Sequence, residues 1–109
     1  MAQIECNDGW SVSVVAGSNV YCDPRENGVA YKSVELGYPS EADSLITTYA
    51  EDRSQPTNTV YGWVPSYVLL HLFEKHGGIK AGSLPKLDLE SADVVAEHAE
   101  WMLKNPGGS

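Results

Sequence analysis

The chain has 109 residues, 42% hydrophobic and 20% charged, with fifteen acidic against seven basic side chains and a formal charge of −8. That length suits a single globular domain, 1–109, with its own core, and the apolar content separates it from disordered acidic tails. The negative sign argues against nucleic acid or an anionic membrane as direct partner and makes a basic protein surface the natural complement.

Trp10, Val12 and Val14 alternate with Ser11 and Ser13, the period of a half-buried strand, and "GSN" at 17–19 predicts a hairpin turn into "VYC". After "DPRENG", the run "VAYKSVELG" at 29–37 predicts a third strand. Ser40 and Asp43 have capping-box spacing, and Ala42, Leu45, Ile46, Tyr49 and Ala50 recur at helical spacing, so a helix is expected over 41–52, weakened by β-branched Thr47 and Thr48. "TVYGWV" reads as a fourth strand that Pro65 must end.

From Ser66, "SYVLLHLFEKHGG" predicts a core helix with Val68, Leu69, Leu72 and Phe73 inward, Lys75 and His76 in the last turn and Gly77 for the C-cap. Leu84, Leu87 and Leu89 lie in a connector around Pro85. Asp88 or Ser91 then caps a terminal helix whose inward stripe is expected to be Val95, Ala99 and Met102, with Val94 and Leu103 beside it, and which Pro106 stops. The expected architecture is α+β: a small, mainly antiparallel sheet of three or four strands with two or three packed helices. Residues 105–109, "NPGGS", are expected to fray.

No stretch reaches the roughly 20 apolar residues of a membrane span, and "MAQIECNDGW" has neither the basic nor the apolar region of a secretory signal. The expectation is a cytoplasmic protein without membrane association, Cys6 and Cys22 reduced.

"HLFEKH" spaces His71, Glu74 and His76 as H-x-x-E-x-H, and histidines at i and i+5 do not share a helix face, so neither a metal nor another cofactor is expected. Cys22 with His71 or His76 as base is the one enzymatic alternative. Phosphate loops are missing, and the aromatic residues do not interleave with basic ones. A non-enzymatic protein is the leading reading.

The acids are unevenly spread. Residues 33–52 hold Glu35, Glu41, Asp43, Glu51 and Asp52 with no base, and 87–103 hold Asp88, Glu90, Asp93, Glu97 and Glu100 with none. On a helix, Glu90, Asp93, Glu97 and Glu100 form a row at intervals of roughly 5–6 Å. The plain reading is a solvated, dipole-favoured face. The functional reading is a phosphate decoy for a protein that binds DNA, with Glu35, Glu41, Asp43, Glu51, Asp52, Glu90, Asp93, Glu97 and Glu100 as partner-binding residues. A second class is an immunity-like or antitoxin-like interaction module anchored by Trp63, Tyr61 and Tyr67.

In size and charge over its whole length the chain resembles small phage and mobile-element proteins, in particular anti-CRISPR proteins that act on type I effector complexes. "VYGWVPSYVLLHLFEKHGG" and "YKSVELGYPSEAD" carry the likeness to a mobile-element family. The resemblance implies a stoichiometric inhibitor, expected as a monomer in the host cytoplasm, that occupies the basic DNA-binding surface of a Cascade subunit.

Overall fold

A tight turn near the start of the chain sets the register of the sheet. Asp8 accepts the amide of Trp10 at 2.9 Å, the Cys6 amide donates to the Trp10 carbonyl at 2.8 Å, and Gly9 takes a φ of 92° that an L side chain resists. The turn joins β1 (Gln3–Cys6) to β2 (Ser11–Val15) in an antiparallel pair that sets Ile4 opposite Val12. The computed structural model describes residues 3–106.

β3 (Ser33–Gly37), β4 (Val60–Pro65) and β5 (Ile79–Ala81) complete one antiparallel sheet in the order β4-β3-β2-β1-β5. α1 (Ser66–Lys75) and α2 (Ala92–Lys104) are its two helices. The α+β class is as expected, with five strands in place of three or four. Two strands, β1 and β5, were not expected, and β5 is three exposed residues paired on the edge of β1. Its close approach requires Gly82, where a Cβ would lie 2.4 Å from the Gln3 carbonyl oxygen.

Directly opposed residues share a face. The pairs Ile4–Val12, Val14–Leu36 and Val34–Val64 therefore build one apolar surface, and it belongs to the same buried cluster as Val68, Leu69 and Leu72 of α1. Pro65 ends β4 and stands at the N-cap of α1. Two amides close the other end of that helix: Gly77, at φ 84°, donates to the Glu74 carbonyl and Gly78 to that of Phe73. This is the Schellman arrangement that Gly at C′ favours.

Three expected elements are different. Residues 20–22 form no strand: Cys22 donates to Val20, while the Tyr21 carbonyl accepts the Trp63 amide. The chain pairs in a hairpin one turn earlier, at Asp8-Gly9. Over 41–52 there is only a 3₁₀ turn, Thr47–Tyr49. Asp43 spends its carboxylate on the Leu45 amide, Lys75 and His76, Thr47 Oγ1 bonds back to the Asp43 carbonyl, and Ala50 is pulled into a bridge with Tyr61. Such local bonds compete with helix formation.

α2 has the expected position but is rotated. Its inward residues are Val94, His98 and Trp101, while Met102 is 44% and Leu103 83% exposed, with Val95 and Ala99 also outward. Met102→Ala should accordingly change stability by less than about 0.5 kcal/mol, against roughly 2–5 kcal/mol for Leu72→Ala. Paired thermal melts of the two variants check this rotation. Asn105 is held by a 2.8 Å bond from its side chain to the Trp101 carbonyl, and residues 107–109 of the expected frayed tail lie outside the described residues. Among the described residues no helix is long and apolar enough to cross a membrane.

Candidate interaction surface

β4 does not pair evenly with β3. Val34 faces Val64 and Leu36 faces Tyr61, so Gly62 and Trp63 together oppose the single residue Glu35. This β-bulge re-aims a side chain. Trp63 adopts φ 50°, a left-handed conformation costly for a bulky residue. The crossing segment holds it there, because the Trp63 amide donates to the Tyr21 carbonyl at 3.0 Å and the Tyr21 amide donates to Glu35 Oε1 at 3.2 Å. Gly62 fits beneath Tyr21, where a Cβ would come 3.2 Å from the tyrosine Cβ.

The consequence is an exposed aromatic ridge. Trp63 is 52% exposed and stacks on exposed Tyr21 with ring centroids 4.8 Å apart. A cleft of about 320 Å³ on one side is lined by Tyr49, Glu51 and Val60. A second, of about 530 Å³, lies toward α2 and carries Asp23, Asp93 and Glu97 against Arg25 and Lys32. Ser33 Oγ, buried without a hydrogen-bond partner, belongs to this second cleft. Members of both acidic windows therefore flank Trp63: Glu51 from the first, Asp93 and Glu97 from the second.

The windows lack bases in sequence but not in space. Lys32 pairs with Asp93 at 2.8 Å, and Lys104 with Glu100 at 3.4 Å. The Lys32 bond comes first among the causes that hold the Asp93 carboxyl below its ordinary range, and Asp93 in turn raises Lys32. Of the helical row, Glu90 and Glu97 make no ion pair among the described residues. Glu35 braces Tyr21. Asp52 caps a turn through the Ser54 hydroxyl and then its amide, which lower its carboxyl. Glu41 lies elsewhere, beside Trp10 and His76.

Asp43 is corrected as a contact residue, because its side chain is 2% exposed. It accepts from Lys75 at 3.1 Å and His76 Nε2 at 2.7 Å, while Asp8 takes His76 Nδ1 at 2.7 Å and Trp10 stacks on the imidazole at 4.3 Å. Tyr61 and Tyr67 are likewise corrected as anchors: both are buried, Tyr61 donating its hydroxyl to the Pro56 carbonyl. Of the three aromatic residues only Trp63 is presented. Its partner Tyr21 was not singled out by sequence reasoning.

Cys22 is buried, with its thiol among the Gly17 amide and the Gly17 and Pro24 carbonyls. Neither expected base is bonded to it, since His71 meets His98 and both nitrogens of His76 meet aspartates. Both cysteines are free thiols. Among the described residues no group of three or more His, Cys, Asp or Glu side chains is placed to hold a metal.

Comparisons with protein families, curated proteins and solved structures find no match for this chain.

Proposed function

We propose that the protein is a non-enzymatic inhibitor that docks on a basic, nucleic-acid-binding protein through the Trp63–Tyr21 ridge and the carboxylates beside it. The observation that carries this reading is the outward Trp63, held on a strained bulge between Glu51 and the Asp23–Glu97 side of the second cleft. Tryptophan and tyrosine dominate interface hot spots, and surrounding charges steer encounter and select the sign of the partner. Ser33 Oγ offers an unsatisfied polar group in the same cleft. Because Lys32 and Lys104 offset Asp93 and Glu100, the helical row acts with the ridge rather than as a free-standing copy of a phosphate backbone.

The sharpest form of the proposal, following the resemblance in size and charge, is a type I Cascade whose DNA-binding groove the protein occupies. Fluorescence anisotropy of labelled target DNA with purified Cascade tests it. Stoichiometric addition of the protein is expected to abolish DNA binding, and the effect should weaken as salt rises. Asp23→Lys, Glu51→Lys and Glu97→Lys in one chain should weaken inhibition at least tenfold with melting unchanged. DNA binding that persists under excess protein, with Cascade and with a panel of basic DNA-binding proteins, would overturn the proposal.

A further inference from the structure

α2 buries the less apolar of its two stripes. Val94, His98 and Trp101 face inward, and at 3.6 residues per turn Ala92, Val95, Ala96, Ala99, Met102 and Leu103 fall together on the solvent side, over about 120° of the helix circumference. All six are exposed and none is charged, and the three large ones stand 52% exposed at Val95, 44% at Met102 and 83% at Leu103. An amphipathic helix ordinarily turns a stripe of that width to the core. Here it meets solvent, and a contiguous apolar patch left exposed marks an interaction site. Beside it on the helix runs the charged row Asp93, Glu97, Glu100 and Lys104. Lys32 answers Asp93 and Lys104 answers Glu100, while Glu97 makes no ion pair among the described residues.

We infer that this face of α2 docks a cationic amphipathic helix of another protein. Shape points to a helix. The six residues extend about 16 Å along the axis at a rise of 1.5 Å per residue, and the small side chains at 92, 96 and 99 alternate with the larger ones at 95, 102 and 103. That relief accepts the side-chain ridges of a second helix at a close interaxial distance, about 8 Å. Charge gives the sign. A helix laid on the stripe has one edge over the acidic row, where lysines or arginines one turn apart meet Glu97 and Glu100. A second copy of this chain fits worse, because an antiparallel two-fold pairing through the stripe sets the Glu97–Glu100 edge against its own duplicate, like charge on like. An anionic lipid surface meets the same repulsion.

The docking face does not rest on the proposed inhibitory role, and its readout is direct peptide binding rather than displacement of DNA. The probe is a synthetic helical peptide of roughly 14 residues with leucine on one face and lysine on the other, beside a twin carrying glutamate in place of lysine. Isothermal titration should show binding of the lysine peptide alone, and the amide shift changes it causes by NMR should concentrate on residues 92–103. Val95→Gln, Met102→Gln and Leu103→Gln in one chain keep the helix propensity and should weaken binding about tenfold or more. Glu97→Gln with Glu100→Gln should weaken it about fivefold, whereas Glu5→Gln with Glu26→Gln, an equal loss of charge at exposed positions off the helix, should leave it within about twofold. No binding of the lysine peptide, equal binding of both peptides, shift changes scattered away from α2, or equal losses from the two carboxylate pairs would overturn the docking face. A monomer–dimer equilibrium in sedimentation that the triple variant abolishes would assign the stripe to a second copy, and binding to phosphatidylcholine vesicles but not to the peptide would assign it to a lipid surface. Either result overturns the cationic helix as occupant.

Discussion

Asp43→Ala is expected to destabilise the protein by about 3 kcal/mol, the cost of removing one partner from a buried ion pair, and to lower the melting temperature by roughly 10–20 °C. Its carboxylate ties the 43–45 loop to the end of α1. Oδ1 accepts the Leu45 amide and the Lys75 ammonium, and Oδ2 accepts from His76. Removing it leaves the Lys75 ammonium and a His76 ring nitrogen, at the α1 terminus, without their buried acceptor. Asp43→Asn retains an acceptor for Leu45 and should lose less. A melting temperature within about 2 °C of wild type for Asp43→Ala would show that the network carries no stability.

The same network fixes the acid limit. Burial would raise Asp43, but the Leu45 amide, His76 and Lys75 together outweigh it and hold the carboxyl below its usual range. Asp8 is lowered chiefly by the Trp10 amide and then by His76. Depressed carboxylates contribute stability that is fully present above their unfolded value, near 3.9, and lost as pH falls through the lower folded values. Melting temperature should therefore be insensitive to these two groups from pH 7 to about pH 5 and fall below about pH 4. The fall should be shallower in Asp43→Ala, which has only one of the two linkages left to lose.

What the sequence made legible were the elements whose signals are local. α1 carries its stripe, its Pro65 start and its Gly77-Gly78 stop within one continuous segment, and it folds where expected. The first hairpin was misplaced: the expected turn was "GSN", whereas the chain turns at Asp8-Gly9, itself a turn signal that was passed over. The rotation of α2 was not legible. Its sequence contains two stripes at helical spacing, and the more apolar one, Val95–Ala99–Met102, faces out, while Val94–His98–Trp101 faces in because His71 and Tyr67 supply ring partners. Pairings of that kind depend on which helices meet, which hydrophobicity alone does not encode.

The carboxylate windows were legible as charge and not as surface. Lys32, Lys75 and Lys104 lie outside both windows, and each reaches into one in the fold. Trp63 was named beside Tyr61 and Tyr67 as one of three equivalent aromatics. The bulge separates them, and it arises from the fit of Gly62 under Tyr21, a contact between segments far apart in the chain.

Trp63→Ala should weaken partner binding by about thirtyfold or more, corresponding to roughly 2 kcal/mol, the threshold of an interface hot spot. The loss should fall mainly on dissociation, because an aromatic anchor acts after contact. Reversal of Asp23, Glu51 and Glu97 should instead slow association and flatten the salt dependence. Surface plasmon resonance at two ionic strengths separates the two. The fold should not suffer, because Trp63 is half exposed and its backbone stands at φ 50°. Trp63→Gly makes the sharper comparison: it removes the same anchor, and glycine occupies the left-handed region without a Cβ clash. It should bind as poorly as the alanine variant while matching or exceeding the wild-type melting temperature. Binding within twofold of wild type in both variants would rule out the ridge as anchor. Binding lost only together with a large drop in melting temperature would make Trp63 a structural residue. The expected pattern, anchor lost and stability kept, is that of a strained side chain maintained for contact rather than for the fold.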